Sequence, residues 1–588
     1  MDSRRPPLVP AHRSLPELVR HWAGTTPDRR AFTYVDHPAP GSRGVHRTLT
    51  WRRLDLRVRA LAARLAEDTE PGARVALLCP QGTEYVTAFL AALTAGLVAV
   101  PLYPPDLPGH GDRLAAVLAD ARPAVVVTTS PGADLVRDFC ADTTARIVVA
   151  DQVPDAAAEG WQPVTPQESA VAYLQYTSGS TRTPAGVEIT HANVVANARQ
   201  ALTAYGADTH PVTCVGWLPL YHDMGLVLSV AAPVARGLLS VLMDPVAFLH
   251  EPVRWLRLLG AHPRAVSAAP NFAYDYCAAA VTEAQKADLR LGDIAALING
   301  SEPVRPGTAD RFHAAFTAQG LDPATHCPSY GLAEATVFVS AARPGEPPHR
   351  FALDRDALAA GKALPARPDD PRAVLLAGCG TPAGQQVRIT DPVTDAVLSE
   401  GEVGEIRVQG PNVGRGYWNQ EELTRRVFGP DGLLRTGDLG TVLDGQLIVT
   451  GRLKDLIVVD GRNHYPQDVE ATAQEAHPAL RPDRLAAFGT SGASGVSGAS
   501  GASDVSGASG ERVVVVAEHV RGTSLAEIDV PALVGAVRAA VSSRHGLRLA
   551  DVVLVPPGTV PRTSSGKVSR ALTRERYLAG AYPAEAVR

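Results

Sequence analysis

The sequence predicts an α/β fold: a large N-terminal domain of layered α/β units with a β-barrel-like part, then a small α+β domain. Three observations predict it. Short β-prone runs, "RVALLC" (74–79), "AVVVTT" (124–129) and "RIVVA" (146–150), alternate with helical segments. That alternation suits a mostly parallel sheet with helices on both faces. After about Gly378 the pattern changes to glycine-punctuated hairpins, "QQVRIT", "GEIRVQG" and "GQLIVTG", which suit an antiparallel or barrel-like unit. Near the C-terminus two strand-like runs, "RLAAFG" and "RVVVVAEHV", flank a Gly/Ser repeat. A chain of 588 residues is also too long for a single core.

The elements follow from local chemistry. Ser14 and Glu17 read as a capping box that opens a helix. Thr50 caps a second helix, with Trp51, Leu54, Val58, Leu61, Ala62 and Leu65 on one face. Residues 85–104, "YVTAFLAALTAGLVAVPLYP", carry no charge and match a membrane span in length. Gly96 and Pro101 interrupt them, and β-prone "LVAVPLY" follows the glycine. A buried helix, a turn and a buried strand are expected there, and no membrane span. The repeat at 489–510 is nearly uncharged and reads as flexible coil, with an r.m.s. span of about 25 Å. Because both flanks look like strands able to pair across it, it is expected to be a long loop inside the last domain, not an interdomain linker.

Composition narrows the function. A net charge of -5 provides no basic footprint for nucleic acid. The six cysteines are scattered with no C-x-x-C pair, so neither zinc nor a disulfide framework is suggested, and a reducing cytoplasm is expected. The N-terminal residues lack the apolar core of a signal peptide. Of 56 basic residues only four are lysine: Lys286, Lys362, Lys454 and Lys567. In so arginine-biased a chain, a retained lysine points to a specific need for an ammonium.

The stretch "YTSGSTRTPAG" (176–186) carries the first chemical signal. Thr177, Ser178, Ser180 and Thr181 offer hydroxyls, and Gly179 lets backbone amides approach an anion. It lacks the lysine of the common nucleotide loop. Alone, a Ser/Thr/Gly turn is weak evidence. Five more segments follow in order: "PSYGLAEAT" (328–336), "GEIRVQGPNVGRGYW" (404–418), "RTGDLG" (435–440), "GRLKDLIVVDGRNHYPQDVE" (451–470) and "PRTSSGKVSR" (561–570). Together they resemble the motif series of the acyl-adenylate-forming superfamily, which includes acyl-CoA synthetases, peptide-synthetase adenylation domains and luciferases. "STRTPAGV", "LPLYHDMGL" (218–226), "APNFAYDYC" (269–277) and "NGSEPV" (299–304) are closer still to fatty acyl-AMP ligases. So is a segment near 344–371 that resembles the insertion distinguishing these ligases from acyl-CoA synthetases. In that family the loop often does without lysine.

The resemblance implies a domain at 1–450 and a small mobile lid at 451–588, with ATP and Mg²⁺ as cofactors. It implies that Lys567 is catalytic, spanning two anions, with Arg452 beside it and Glu334 as catalytic residue and Mg²⁺ ligand. ATP would be held by Thr177, Ser178, Gly179, Ser180 and Thr181; by Gly300, Ser301 and Glu302 along the base; and by Tyr330 and Gly331, with Asp438 and Arg452 at the ribose. His222, Met224, Ala268, Ala269, Asn271 and Phe272 would border the acyl pocket, and Lys454 would be the hinge. The implied reaction is adenylation of a fatty or related acid, followed by transfer to a separate acyl carrier protein, with CoA not used.

Three rivals are weighed. The insertion-like segment argues against a CoA ligase. No Phe-Asp segment near 220–235 supports an amino-acid adenylating enzyme. Intact Glu334, Asp438 and Lys567 argue against a non-catalytic homologue. The acid itself is not fixed. Ala268 and Ala269 stand where the family suggests glycines, and added methyl groups there would shorten or bend the tunnel.

Overall fold

The computed structural model describes residues 14–177, 184–208, 210–490, 511–563 and 566–582. Helix Leu15–Thr25 begins at Ser14 as expected, and the two residues of the expected capping box meet through the Ser14 hydroxyl. The Ser14 hydroxyl donates to Glu17 Oε2 at 2.8 Å and accepts from the Glu17 amide at 3.4 Å. Thr50 accepts from the Arg53 amide at 3.3 Å and caps Trp51–Ala66, whose expected apolar face is buried. The uncharged run becomes helix Thr83–Thr94, a left-handed Gly96 at φ 72° and strand Val98–Pro101. Every residue of that helix but Glu84 is buried. Its lack of charge therefore reflects enclosure by protein on all sides. No helix among the described residues is long and apolar enough to cross a membrane.

Two large sheets organise the described residues, one of nine strands and one of seven. The core of the first runs parallel through His326–Tyr330, Ile294–Asn299, Ala265–Ala269, Thr213–Gly216, Leu239–Met243 and Arg30–Asp36. The second is parallel through Val171–Tyr176, Val98–Pro101, Arg74–Leu77, Val125–Thr128 and Arg146–Val149. Helices cover both, so central strands read as continuous apolar runs; Val98–Pro101 and Val125–Thr128 are buried at every position. Parallel strands bring their C-terminal ends to one edge. Gly216, Ala269, Asn299 and Tyr330 each end a strand of the nine-stranded sheet, so the segments after them share that edge, where open α/β sheets bind ligands.

The hairpins after Gly378 form an antiparallel sheet of Gln386–Thr390, Gly404–Gln409, Leu434–Leu443 and Gln446–Arg452. Before it, strand Arg350–Asp354 and helix Arg355–Ala359 lie in the insertion-like segment. Leu353, Leu358 and Ala363 pack there with Leu439 and with Tyr465 from the last part of the chain. Arg355 forks onto Asp468 at 2.8 and 3.1 Å.

Beyond Arg452 a short turn, Leu453–Asp455, leads into a unit with its own three-stranded sheet. Leu480–Thr490 pairs antiparallel with Arg512–His519, and Leu549–Val555 adds in parallel. Val469, Val515, Leu533, Val537 and Leu554 form its separate core. Thr490 and Arg512 are direct partners, so the two strands flanking the repeat do pair. Residues 491–510 lie outside the described residues.

Two consequences are testable. Replacing 491–510 by a four-residue turn shortens a closed loop, and closure cost changes by only about 0.6 kcal/mol per doubling of length. The thermal midpoint should therefore stay within about 3 °C of the parent, with any change upward. The second concerns three enclosed histidines. Burial lowers His191 and His545 to about 4 and His326 to about 3, against 6.5 for a free side chain. Between those values and 6.5 the unfolded chain binds more protons than the folded one, so stability falls as pH drops through that window. The midpoint measured from pH 7 to pH 5 should decline, and His326→Gln should make the decline shallower.

Candidate active site

The loop after Asn299 is built on one asparagine. Asn271 opens the neighbouring helix Asn271–Ala280, and its amide donates to Glu302 Oε1 at 2.9 Å. Its side-chain nitrogen donates to the Pro303 carbonyl at 2.9 Å. Its side-chain oxygen accepts from Asn299 Nδ2 at 3.0 Å and from the Arg305 amide at 3.1 Å. Asn299 is fully buried and also meets His326 Nε2 at 3.2 Å. Gly300 runs close under the next strand, since a Cβ there would lie 2.9 Å from the Ser329 carbonyl. Ser301 takes a left-handed φ of 72° and donates to Met224 Sδ at 3.4 Å. Burial raises the Glu302 carboxyl, an effect opposed by Arg305 and Lys567.

Asp438 lies across the same edge. Cross-strand register sets it opposite Arg452, and Arg452 Nε donates to Asp438 Oδ1 at 2.9 Å. The Tyr330 hydroxyl donates to Asp438 Oδ2 at 2.9 Å. Burial, then Asp438, hold that phenol well above its ordinary value. Gly331 follows Tyr330 where only hydrogen fits: a Cβ would lie 1.6 Å from the Val337 carbonyl. Glu334 accepts from the Tyr417 hydroxyl at 2.7 Å, and its carbonyl accepts from the Gly414 amide at 2.9 Å. Tyr417 belongs to Gly416–Tyr417, the edge strand of the seven-stranded sheet, which pairs with Gly186–Thr190.

Lys567 reaches this cluster from the last part of the chain. Its hairpin is closed by the Thr563 amide donating to the Lys567 carbonyl at 2.8 Å and by the Lys567 amide donating to Thr563 Oγ1 at 3.2 Å. Burial, then Arg452, lower the pKa of its ammonium, while Asp223, Glu302 and Asp438 pull the other way. Asp223 was not singled out in the sequence, although "YHDMGL" contains it. Its carboxyl is raised by burial and accepts from the Met224 amide at 2.7 Å. Gly225 makes this turn possible, since a Cβ would lie 2.1 Å from the Pro219 carbonyl.

Strands Val171–Tyr176 and Gly186–Thr190, which flank the Ser/Thr/Gly stretch, pair antiparallel. The Thr177 amide donates to the Ala185 carbonyl at 3.3 Å, and Arg113 donates to the Thr177 carbonyl. Ser178, Gly179, Ser180 and Thr181 lie outside the described residues. Among the described residues no cluster of three or more His, Cys, Asp or Glu side chains could hold a metal. Lys454 is exposed on the turn that follows Arg452.

An apolar cavity runs beside the sheet edge, lined by Leu202, Tyr205, Val212, Gly216, Ser229 and Ala268 among others. Its apolar walls are of the kind that line small-molecule pockets. Side chains alternate along Ala265–Ala269, so Ala268 faces the cavity while Ala269 joins the opposite core with Trp217 and Phe248. Phe272 packs on that same core, edge-on to Trp217. Gly216 faces Ser229, whose hydroxyl would lie 2.4 Å from a Cβ at 216. Met224 is buried, and His222 opens its short helix, the Leu226 amide donating to the His222 carbonyl at 2.8 Å.

This architecture has close relatives. The family model for AMP-binding enzymes matches residues 19–418. The chain is 41% identical over 587 residues to the long-chain-fatty-acid–AMP ligase FadD26 of Mycobacterium marinum, covering 96% of this chain and 97% of that one. A structure from work on fatty acyl-adenylate ligases of E. coli and L. pneumophila superposes with a TM-score of 0.85 at 32% identity, covering 97% and 98%. An L. pneumophila fatty acyl-adenylate ligase in complex with acyl adenylate and pyrophosphate superposes with a TM-score of 0.73 at 32% identity, covering 97% and 96%. The chain belongs to the AMP-binding enzymes and, within them, to the fatty acyl-AMP ligases.

Proposed function

We propose that the protein adenylates a fatty acid with ATP and then passes the acyl group to the phosphopantetheine thiol of a separate acyl carrier protein in the cytoplasm. In the first step a carboxylate oxygen bonds to the α-phosphorus of ATP, the α–β anhydride bond breaks, and pyrophosphate leaves. In the second, the thiol sulfur takes the acyl carbon, its proton is lost, and AMP departs. The observation that carries this reading is the convergence of Lys567, Arg452 and three carboxylates on one sheet edge, beside an apolar cavity.

The roles divide by chemistry. Lys567 and Arg452 neutralise charge between two anions that must meet, and burial strengthens that effect. Asp438, held by Arg452 and Tyr330, accepts from the ribose hydroxyls. Tyr330, Gly331 and the 300–302 loop take the base, and the 177–181 loop takes the phosphates. Glu334 would hold Mg²⁺, an ion usually bound by one or two carboxylates together with substrate phosphates. When bound, Mg²⁺ would neutralise phosphate charge. The cavity, walled by Ala268 and its neighbours, holds the acyl chain. Residues 451–588 act as the lid on a 1–450 domain, and Lys454 lies at the pivot. Contacts between the insertion-like segment and this lid, Arg355 to Asp468 and Leu358 to Tyr465, support a lid restrained from the pose that would admit CoA.

Lys567→Ala should leave the thermal midpoint unchanged, because the residue sits in a polar hairpin. It should slow pyrophosphate release by about 10²-fold or more, the usual loss for a preorganised charge at a reacting centre. Near-parental release would refute the role. The function is tested by incubation with ATP, a panel of acids, CoA and a phosphopantetheinylated carrier, read by mass spectrometry. Acyl-AMP and acyl-carrier are expected with little acyl-CoA; abundant acyl-CoA would leave an acyl-CoA synthetase.

A further inference from the structure

The 300–305 loop faces two ways. Its first half lies at the sheet edge, and its last residue, Arg305, meets the lid. Arg305 Nη1 donates to Asp483 Oδ1 at 2.5 Å across 178 residues of sequence. Asp275 lies near Arg305 at 3.8 Å but pairs more closely with Arg311 at 2.7 Å. Asp483 is therefore the close carboxylate partner of Arg305.

Asp483 is aimed by its backbone. Pairing along Leu480–Thr490 jumps from Leu480↔His519 to Leu485↔Ala517, and within that irregularity Asp483 takes a left-handed φ of 57°. Such irregularities re-aim a side chain. Its amide donates to Gln474 Oε1 at 2.7 Å, which ties it to helix Pro466–Glu475.

From Asp483 a short route leads to Lys567. Two residues back, Arg481 donates to Glu518 Oε2 at 2.6 Å. Glu518 is fully buried on the adjacent strand, and its other oxygen accepts from the Val560 amide at 3.0 Å. Val560 leads directly into the hairpin that carries Lys567. Arg562 Nε then donates to the Gly566 carbonyl at 2.5 Å, closing that hairpin.

We propose that Arg305 and Asp483 are positioning residues: their ion pair latches the lid in the adenylating pose and, through Arg481 and Glu518, fixes Lys567 over the site. The inference rests on the acyl-AMP ligase reading and adds a second anchor to it. It also joins the ATP site to the lid, because the segment that borders the base ends in the latch.

The test uses Asp483→Asn, which keeps the left-handed backbone that asparagine tolerates, and Arg305→Met, which keeps the aliphatic stem. With ATP and the fastest acid of the panel, each variant should lose about tenfold in kcat, more than an exposed pair is worth and less than a fully buried one. The KM for ATP in Asp483→Asn should stay within twofold of the parent. The double variant should be no slower than the slower single, as coupled partners require. Deuterium uptake by amides of 559–570, read without substrate, should rise in both singles while the thermal midpoint holds. That measurement reads the latch even if no acid in the panel turns over, an outcome that would count against the ligase reading instead. Parental uptake in both singles, kcat within twofold of the parent, or fully additive losses in the double variant would overturn the latch.

Discussion

An ammonium partly withdrawn from water has to be compensated, and most of this architecture arranges that compensation for Lys567. Burial and Arg452 both disfavour its charge; Asp223, Glu302 and Asp438 restore it. Each carboxylate is in turn held by a different device. Asp438 has a cross-strand arginine and a buried phenol, Glu302 has the amide that opens a helix, and Asp223 has the next residue's amide in a glycine-dependent turn. These devices come from the ends of parallel strands on one edge and from the antiparallel hairpin that carries Asp438 and Arg452. A packed sheet thus does for the site what solvent would otherwise do, with dipoles fixed before any substrate arrives.

Local chemistry was legible in the sequence wherever spacing carries it. The Ser14 capping box, the Trp51–Leu65 face and the helix–turn–strand at 83–101 follow from caps, periodicity and one glycine. The site was legible as motifs, but the work each residue does inside a motif was less so. Asn271 reads as pocket lining, yet its backbone amide and both side-chain atoms are committed to the 299–305 loop. Ala268 and Ala269 read alike, yet strand alternation sends them to opposite cores. Asp223 stands between two residues that drew attention and was passed over, since only burial beside Lys567 gives its charge significance. Arg305 and Asp483 have no local signal, because their relation exists only once the unit after Arg452 packs on the rest of the chain.

The insertion-like segment shows how a short addition can act at a distance. Its own core is small: Leu353, Leu358 and Ala363 against Leu439 and Tyr465. That patch leans on both the antiparallel sheet and the unit after Arg452. Arg355 extends the contact to Asp468, which is itself 3.8 Å from His545. The unit after Arg452 thus touches the rest of the protein through elements far apart in sequence, and its orientation is shared among them.

The wall of the apolar cavity carries a different kind of constraint. Gly216 and Ser229 face each other across it so closely that a methyl group at 216 would collide with the serine hydroxyl. A mutation at one position is therefore judged by what the other already is. A side chain at 216 is accepted readily only after Ser229 has become smaller, whereas shrinking Ser229 first merely enlarges the space. For this pair the order of substitutions matters as much as their identity.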